Sequence, residues 1–288
     1  MEIKLDLNPV EITVVLVAVA VLVALAVRRI AIPYTVALVG FGLVAAEVLR
    51  EQQLEITPEV VLVVLLPGLL FEASFRIEFR DLRESIAGVA VLAVPGVLIV
   101  AAVVALILHQ ATGMRLELAF VVGAMVSATD PAAVLATFRR LGSPRRLTTL
   151  VEGESLFNDG TGLVIFVMAI QAVQTDVSVP GAIVQFFVTV VVSILIGCVG
   201  GLIVSWVVAR VDDHLIETTL SLVLAYGAYV FADALHQSGI IATVSAGIVL
   251  GNIGRRFGMS EKTREAIDTV WDFVAFLLTA IVFLLVGL

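Results

Sequence analysis

Two short polar strings, Ser127-Ala-Thr-Asp-Pro131 and Glu152-Gly-Glu-Ser-Leu-Phe-Asn-Asp-Gly160, interrupt a sequence that is otherwise oily. Each falls inside a stretch long enough to span a bilayer, where a carboxylate costs roughly 2.5–3.5 kcal/mol on insertion scales unless something offsets it. Together they place Asp130, Glu152, Glu154 and Asp159 at or near membrane depth. Thr129, Ser155 and Asn158 supply neutral oxygens and an amide beside those acids. Such a donor set suits a small cation or a proton. A carboxylate taken out of water binds a proton more readily, and an acid that holds a proton cannot also hold a sodium ion. That competition is sufficient for coupled exchange.

The elements that must position these groups follow from local chemistry. Pro131 brings no amide hydrogen and disfavours helical geometry at Asp130, so the apolar segment around it is predicted to break there. A broken helix frees carbonyls around Ser127 to Thr129, which suit a dehydrated cation, and leaves amides at the start of the second half, which suit a carboxylate. The plainer reading is a proline kink with Asp130 capping the second half, and capping does not exclude a neighbouring site. In the next segment helical spacing puts Glu152, Ser155 and Asp159 on one face, with Glu154 and Asn158 adjoining it. Gly153, Gly160 and Gly162 would let another helix cross closely. The alternative for Glu152 is a loop at the cytoplasmic mouth, since Arg145 and Arg146 precede it closely.

Composition sets the class. The chain is 60% hydrophobic, with a mean hydropathy of +1.13, far above the ordinary soluble range of about 45–50% apolar. The expectation is an all-α polytopic membrane protein, read as a single transmembrane domain over 1–288, with about ten apolar segments at roughly 10–27, 31–49, 59–75, 85–108, 116–138, 148–174, 180–208, 215–235, 238–253 and 266–288. Fourteen of the seventeen basic residues follow odd-numbered segments, among them Arg28, Arg76, Arg80, Arg83, Arg139, Arg210, Arg255 and Arg256, leaving Lys4, Arg50 and Arg115 on the other side. By the positive-inside rule the N-terminus is outside and the basic loops are cytoplasmic, in a multi-pass protein of the cell membrane. A net charge of −8 argues against nucleic acid as a partner, and a lone Cys198 excludes a disulfide framework or a cysteine metal centre. The start lacks a basic region and a cleavage site, so no removable signal peptide is read there. His109, His214 and His236 have no metal-ligand spacing.

A faint internal repeat adds an architectural hint. Ile32-Pro-Tyr-Thr-Val36 followed by Gly40 is echoed by Ile240-Ile-Ala-Thr-Val244 followed by Gly247, and Leu65-Leu-Pro-Gly-Leu69 by Leu284-Leu-Val-Gly-Leu288. Under the assigned topology the repeat is inverted, an architecture that recurs in secondary transporters with a site at the midplane. The chain also stops within an apolar run at Leu288, so a truncated or partial protein is expected.

The strings Ser127-Ala-Thr-Asp-Pro-Ala-Ala-Val134 and Gly153-Glu-Ser-Leu-Phe-Asn-Asp-Gly160 resemble the paired signatures of the cation:proton antiporters, in the electroneutral, NhaP-like sodium/proton exchanger branch. Leu66-Pro-Gly-Leu-Leu-Phe-Glu72, Ser238-Gly-Ile-Ile-Ala-Thr-Val-Ser-Ala-Gly-Ile-Val249 and the stretch from Phe276 to Leu288 agree, so the resemblance runs along nearly the whole chain. It implies an antiporter fold with a broken helix in segment five, a core over roughly 85–174 and a scaffold over roughly 10–75 and 215–288 that forms a homodimer. It implies that Asp159 carries the ion and the proton, that Ser155 and Thr129 add oxygens to a bound Na⁺, and that Asp130 polarises the crossover. Asn158 stands where electrogenic relatives carry a second aspartate, which implies electroneutral exchange. Glu72 matches an acid beside the ion path, although it reads equally well as an interfacial carboxylate paired with Arg76 at i+4. Glu154 would face an arginine on a later helix that this chain does not contain.

The expected function is therefore a secondary antiporter that exchanges Na⁺, or another monovalent cation, for H⁺ by alternating access. It is not an enzyme and needs no cofactor beyond the transported ions; its surroundings are the lipid bilayer. The competing classes are an intramembrane aspartyl enzyme using Asp130 and Asp159, and a passive cation channel with the same polar core.

Overall fold

A computed structural model describes residues 9–27, 34–48, 60–175 and 178–287, and all regular structure among them is helical. In chain order the helices are α1 (Pro9–Val27), α2 (Tyr34–Val48), α3 (Leu66–Arg76), α4 (Phe79–Val91), α5 (Val97–Thr112), α6 (Leu116–Met125), α7 (Ala132–Leu141), α8 (Arg145–Gln174), α9 (Val179–Val208), α10 (His214–Ala234), α11 (Gly239–Val249), α12 (Arg255–Phe257) and α13 (Glu261–Gly287). Wider π turns precede α3 at Val60–Leu65, join α4 to α5 at Leu92–Gly96, and join α11 to α12 at Leu250–Gly254. The turn between α4 and α5 contains Pro95, whose missing amide hydrogen spoils the regular ladder there.

Among the described residues five helical stretches are long and apolar enough to cross a bilayer: Phe79–Thr112, Arg145–Gln174, Val179–Val208, His214–Ala234 and Glu261–Gly287. They cover segments four, six, seven, eight and ten of the sequence reading. The exposed faces support this. Val184, Val188, Val191, Leu195, Val199 and Ile203 on α9 all lie at the surface, a stripe that water would not tolerate and hydrocarbon solvates. At the end of α9 the Arg210 guanidinium lies 3.7 Å over the Trp206 ring, a cation–aromatic pair of the kind found at membrane interfaces. This is a membrane protein.

Boundaries differ from the sequence reading where polar caps extend a helix beyond its apolar part. Segment four, read from residue 85, begins at Phe79 because the Asn252 side-chain oxygen accepts the Phe79 amide at 2.8 Å. Arg80 and Arg83 therefore stand on the first turns of α4 rather than in a loop. Segment ten, read from 266, begins at Glu261, where Ser260 Oγ accepts from the Thr263 amide at 3.2 Å. Starts that matched the reading have the same cause: Asp213 Oδ1 accepts from Leu215 at 2.9 Å, and Ser238 Oγ accepts from Ile241 at 3.3 Å.

The chain divides into two compact units, Met1–Leu69 with Asp268–Leu288, and Leu70–Ile267. Within the first, Ala20, Val23, Leu38, Ala280 and Leu284 form a buried cluster. The Tyr34 hydroxyl donates to the Ala20 carbonyl at 3.3 Å, and its ring stacks on Phe276 at 5.7 Å. Gly42 and Gly287 meet at backbone contact, where either Cβ would collide with the other strand of chain.

In the second unit the main pairings are α9 on α11, α5 on α6, α4 on α8 and α10 on α11. Helix α11 is buried from Gly239 to Ile248, as its mixture of small and branched residues on every side requires. Close approach is obtained by omitting side chains. A Cβ at Gly197 would strike the Ala242 carbonyl, and one at Gly123 the Ala101 carbonyl. Gly197→Val should therefore lower stability by about 1–3 kcal/mol through overpacking. The thermal unfolding midpoint of the purified protein in detergent checks this; an unchanged midpoint would contradict the packing described.

Candidate functional site

Helix α6 ends at Met125, and regular structure resumes only at Ala132. Ser127 is buried and turns its hydroxyl back onto the Ala124 carbonyl at 2.7 Å, at the end of α6. Pro131, at φ −88° and ψ 7°, precedes α7, and its carbonyl accepts the Leu135 amide at 2.8 Å. Between α6 and α7 residues 127–131 lie outside regular helix, with the Ser127 amide on the Ala124 carbonyl at one end and the Leu135 amide on the Pro131 carbonyl at the other.

Helix α8 lies against this interruption, and side chains from one turn of α8 hold it. Ser155 Oγ donates to the Thr129 carbonyl at 3.3 Å. Asn158 Nδ2 donates to Thr129 Oγ1 at 3.2 Å and to Glu154 Oε1 at 2.9 Å. An ionised carboxylate only accepts, so the bond to Glu154 fixes which way the Asn158 amide faces. Asn158 is fully buried, and its carbonyl oxygen has no hydrogen-bond partner among the described residues. Asp159, the next residue, is partly buried and feels the charges of both Asp130 and Glu154. Three acids so arranged repel one another, and a bound cation or proton relieves the repulsion. Thr129 and Asp130 remain exposed, so the polar side of the interruption is accessible.

Glycines on α8 set its distance from several neighbours at once. A Cβ at Gly162 would lie 3.4 Å from Ala128 Cβ in the interruption, one at Gly153 would lie 2.9 Å from Val89 of α4, and one at Gly160 would lie 2.7 Å from Ile241 of α11. The reading that these glycines admit close crossings holds, with a different neighbour for each.

The structure thus brings Thr129, Asp130, Glu154, Ser155, Asn158 and Asp159 together. Glu152 lies one turn earlier on α8, half-buried within the helix rather than in a loop. Glu72 forms an ion pair with Arg76 on its own helix, the plainer of its two readings. Thr161 was missed by the sequence reading. Its hydroxyl, one turn beyond Asn158, donates to the Ala93 carbonyl in the π turn between α4 and α5. Its only signal was a threonine on the glycine-lined side of α8. Asn252, which ties Phe79 and Ile77 to the turn after α11, carried no local signal either.

The description "Sodium/hydrogen exchanger, transmembrane" matches residues 14–288. The chain belongs to that family. Its members are transporters, not enzymes. The chain is 41% identical to the Na⁺/H⁺ antiporter ApNhaP of Aphanothece halophytica over 260 residues, covering 89% of this chain and 49% of that protein. It is 35% identical to the Na⁺/H⁺ antiporter NhaG of Bacillus atrophaeus over 270 residues, covering 89% of this chain and 51% of that one. The chain therefore spans about half the length of these curated relatives. Among solved structures, the sodium proton antiporter MjNhaP1 of Methanocaldococcus jannaschii at pH 8 superimposes with a TM-score of 0.79 at 20% identity, covering 96% of this chain and 69% of that one. At that identity the likeness concerns the exchanger fold.

The Asn158 bonds make a testable claim. Asn158→Leu, nearly isosteric, removes both donors and leaves Glu154 without its partner, so it should cost about 1–3 kcal/mol. Thr129→Val removes one acceptor and should cost about 1 kcal/mol. Unfolding midpoints of the two variants in detergent should fall in that order.

Proposed function

We propose that this chain is the ion-handling part of a secondary antiporter that exchanges a monovalent cation, Na⁺ first among them, for H⁺. The observation that carries the proposal is the junction of α8 with the interruption at 126–131. There Asp159 lies in the field of Asp130 and Glu154, one helical turn from Ser155, whose hydroxyl bonds the Thr129 carbonyl, and next to Asn158, whose amide bonds Thr129 Oγ1. The names of the relatives, Na⁺/H⁺ antiporters, agree with this reading.

Asp159 is the carrier. Empty and ionised, it adds to the negative potential set up by Asp130 and Glu154. A proton or a cation discharges that potential, and occupancy by one excludes the other. Ser155 Oγ and Thr129 complete the shell of a bound Na⁺, the hard-oxygen environment such an ion prefers. Asn158 contributes an amide rather than a second carboxylate, so one charge is carried in each direction and exchange is electroneutral. Its bonds to Thr129 and Glu154 hold the shell in place.

The wider reading follows the same line. Helices α6 and α7 are the two halves of one broken span, within about ten spans arranged as an inverted repeat. The N-terminus is outside, in the cell membrane. The core over 85–174 exposes Asp159 to each side in turn, while segments over 10–75 and 215–288 form the scaffold of a homodimer.

Proteoliposomes carrying the purified chain should show Na⁺-dependent dissipation of a pH gradient, and Asp159→Asn should abolish it. Full activity in that variant would remove Asp159 from its role. Because protons and cations compete, the apparent Na⁺ affinity should fall as pH falls. In the same vesicles a potential-sensitive dye should register no charge movement; a potential that follows exchange would refute electroneutrality.

A further inference from the structure

A cavity with a basic lining borders α8 through Phe157, the residue next to Asn158. It encloses about 700 Å³ between the start of α4, the middle of α9 and the turn from α11 into α12. Its charged lining is three arginines, Arg80, Arg83 and Arg256, against one acid, Glu78. Arg80 and Arg83 are three residues apart on α4 and share a face. Arg256 comes from the opposite wall, where its guanidinium lies 5.5 Å over the Phe257 ring. The arginines are little engaged elsewhere: Arg80 reaches Glu84 only at 3.7 Å, with both side chains largely exposed.

The two walls are tied together. Asn252, itself part of the lining, accepts from the Phe79 amide at 2.8 Å and donates to the Ile77 and Ile248 carbonyls at 2.9 and 2.8 Å. The helix ends that bear the arginines are therefore held against one another around one space. Apart from Ser245 and Cys198 the remaining lining is apolar and continues outward: Ile86, Ile194 and Ile253 line the cavity and are also exposed at the surface.

These features exclude one occupant and select another. A cluster of guanidinium groups repels a cation, so the cavity does not serve as the cation's route to α8. A surplus of positive charge bounded by exposed hydrocarbon matches a molecule with an anionic head and an acyl chain. Basic pockets between membrane helices on the cytoplasmic side bind such headgroups, and the basic loops of this chain sort to that side by the positive-inside rule. We propose that this cavity binds an anionic phospholipid of the surrounding bilayer, its phosphate held by Arg80, Arg83 and Arg256 and its chain laid along Ile86, Ile194 and Ile253. The proposal depends on the chain being embedded in a bilayer and not on exchange at Asp159.

The chain contains one cysteine, Cys198, and it lines this cavity. Its rate of alkylation by a maleimide is a direct readout. The purified chain is reconstituted into phosphatidylcholine alone, or into phosphatidylcholine containing phosphatidylglycerol. Phosphatidylglycerol should slow labelling of Cys198, and the concentration needed should rise by about tenfold or more in R80Q/R83Q/R256Q. The variant R145Q/R146Q, which removes charge from the basic face outside the cavity, should keep the protection. Millimolar inorganic phosphate in phosphatidylcholine should give none. Equal labelling in the two bilayers, or protection that survives the triple substitution, overturns the proposal. Protection by inorganic phosphate equal to that by phosphatidylglycerol would also overturn it, in favour of a soluble anion. Should the triple variant fail to fold, R256Q alone, on the exposed short helix α12, must weaken protection, and its failure to do so is equally decisive. Loss of protection with exchange intact separates this site from the α8 junction.

Discussion

Ionised oxygen in a water-poor interior is the constraint around which this molecule is arranged. Acids at membrane depth persist only where dipoles, donors or counter-ions replace the water they have lost. The chain meets that demand by giving up helix rather than by adding charge. Between Met125 and Ala132 it forgoes the regular ladder, and the carbonyl and hydroxyl of Thr129 become partners for Ser155 and Asn158. Irregular backbone of this kind survives inside a membrane protein only when other protein covers it or it borders a wet space. Helix α8 supplies the cover on one side, and exposed Thr129 and Asp130 mark the other.

The same demand explains why α8 carries so little bulk on its inner faces. Polar contacts near 3 Å between helices require backbones that approach closely, and every side chain larger than hydrogen holds them apart. Gly153, Gly160 and Gly162 each release a different neighbour, so α4, α11 and the interruption can all reach the polar turn of α8. The π turn at Leu92–Gly96 belongs to this arrangement, since Thr161 donates to its Ala93 carbonyl and so fastens α8 to a second irregular segment. Polar bonds and missing side chains act together here. Neither would fix the geometry alone.

Charge is distributed with a comparable division. The acids Glu152, Glu154 and Asp159 gather on α8, with Asp130 on the interruption beside them. The arginines at the start of α4 and on α12 gather where apolar helix faces meet the basic side of the molecule. A single asparagine, Asn252, organises that second region by capping α4 and bridging to the turn after α11. The acidic junction and the basic cavity therefore carry opposite signs, with Phe157 of α8 lying between them.

Much of this was legible in the residues themselves. Pro131 after Asp130 pointed to irregular backbone at that place, because a proline without an amide hydrogen acts on its neighbours wherever it sits. The i, i+3 and i+4 spacing along 152–159 announced a polar helix face, because helical periodicity is local. Apolar runs announced the long helices, while their starts were misjudged at Phe79 and Glu261, where the deciding groups were polar caps. What the sequence could not decide was which partners meet across it. Asn252 and Phe79 are 173 positions apart, Thr161 and Ala93 are 68, and Asn158 and Thr129 are 29. No local rule reaches over such separations. Side-chain chemistry and spacing determined which polar groups this chain offers; only the packing of α8 against a distant loop, and of α4 against a turn far along the chain, decided which of them meet.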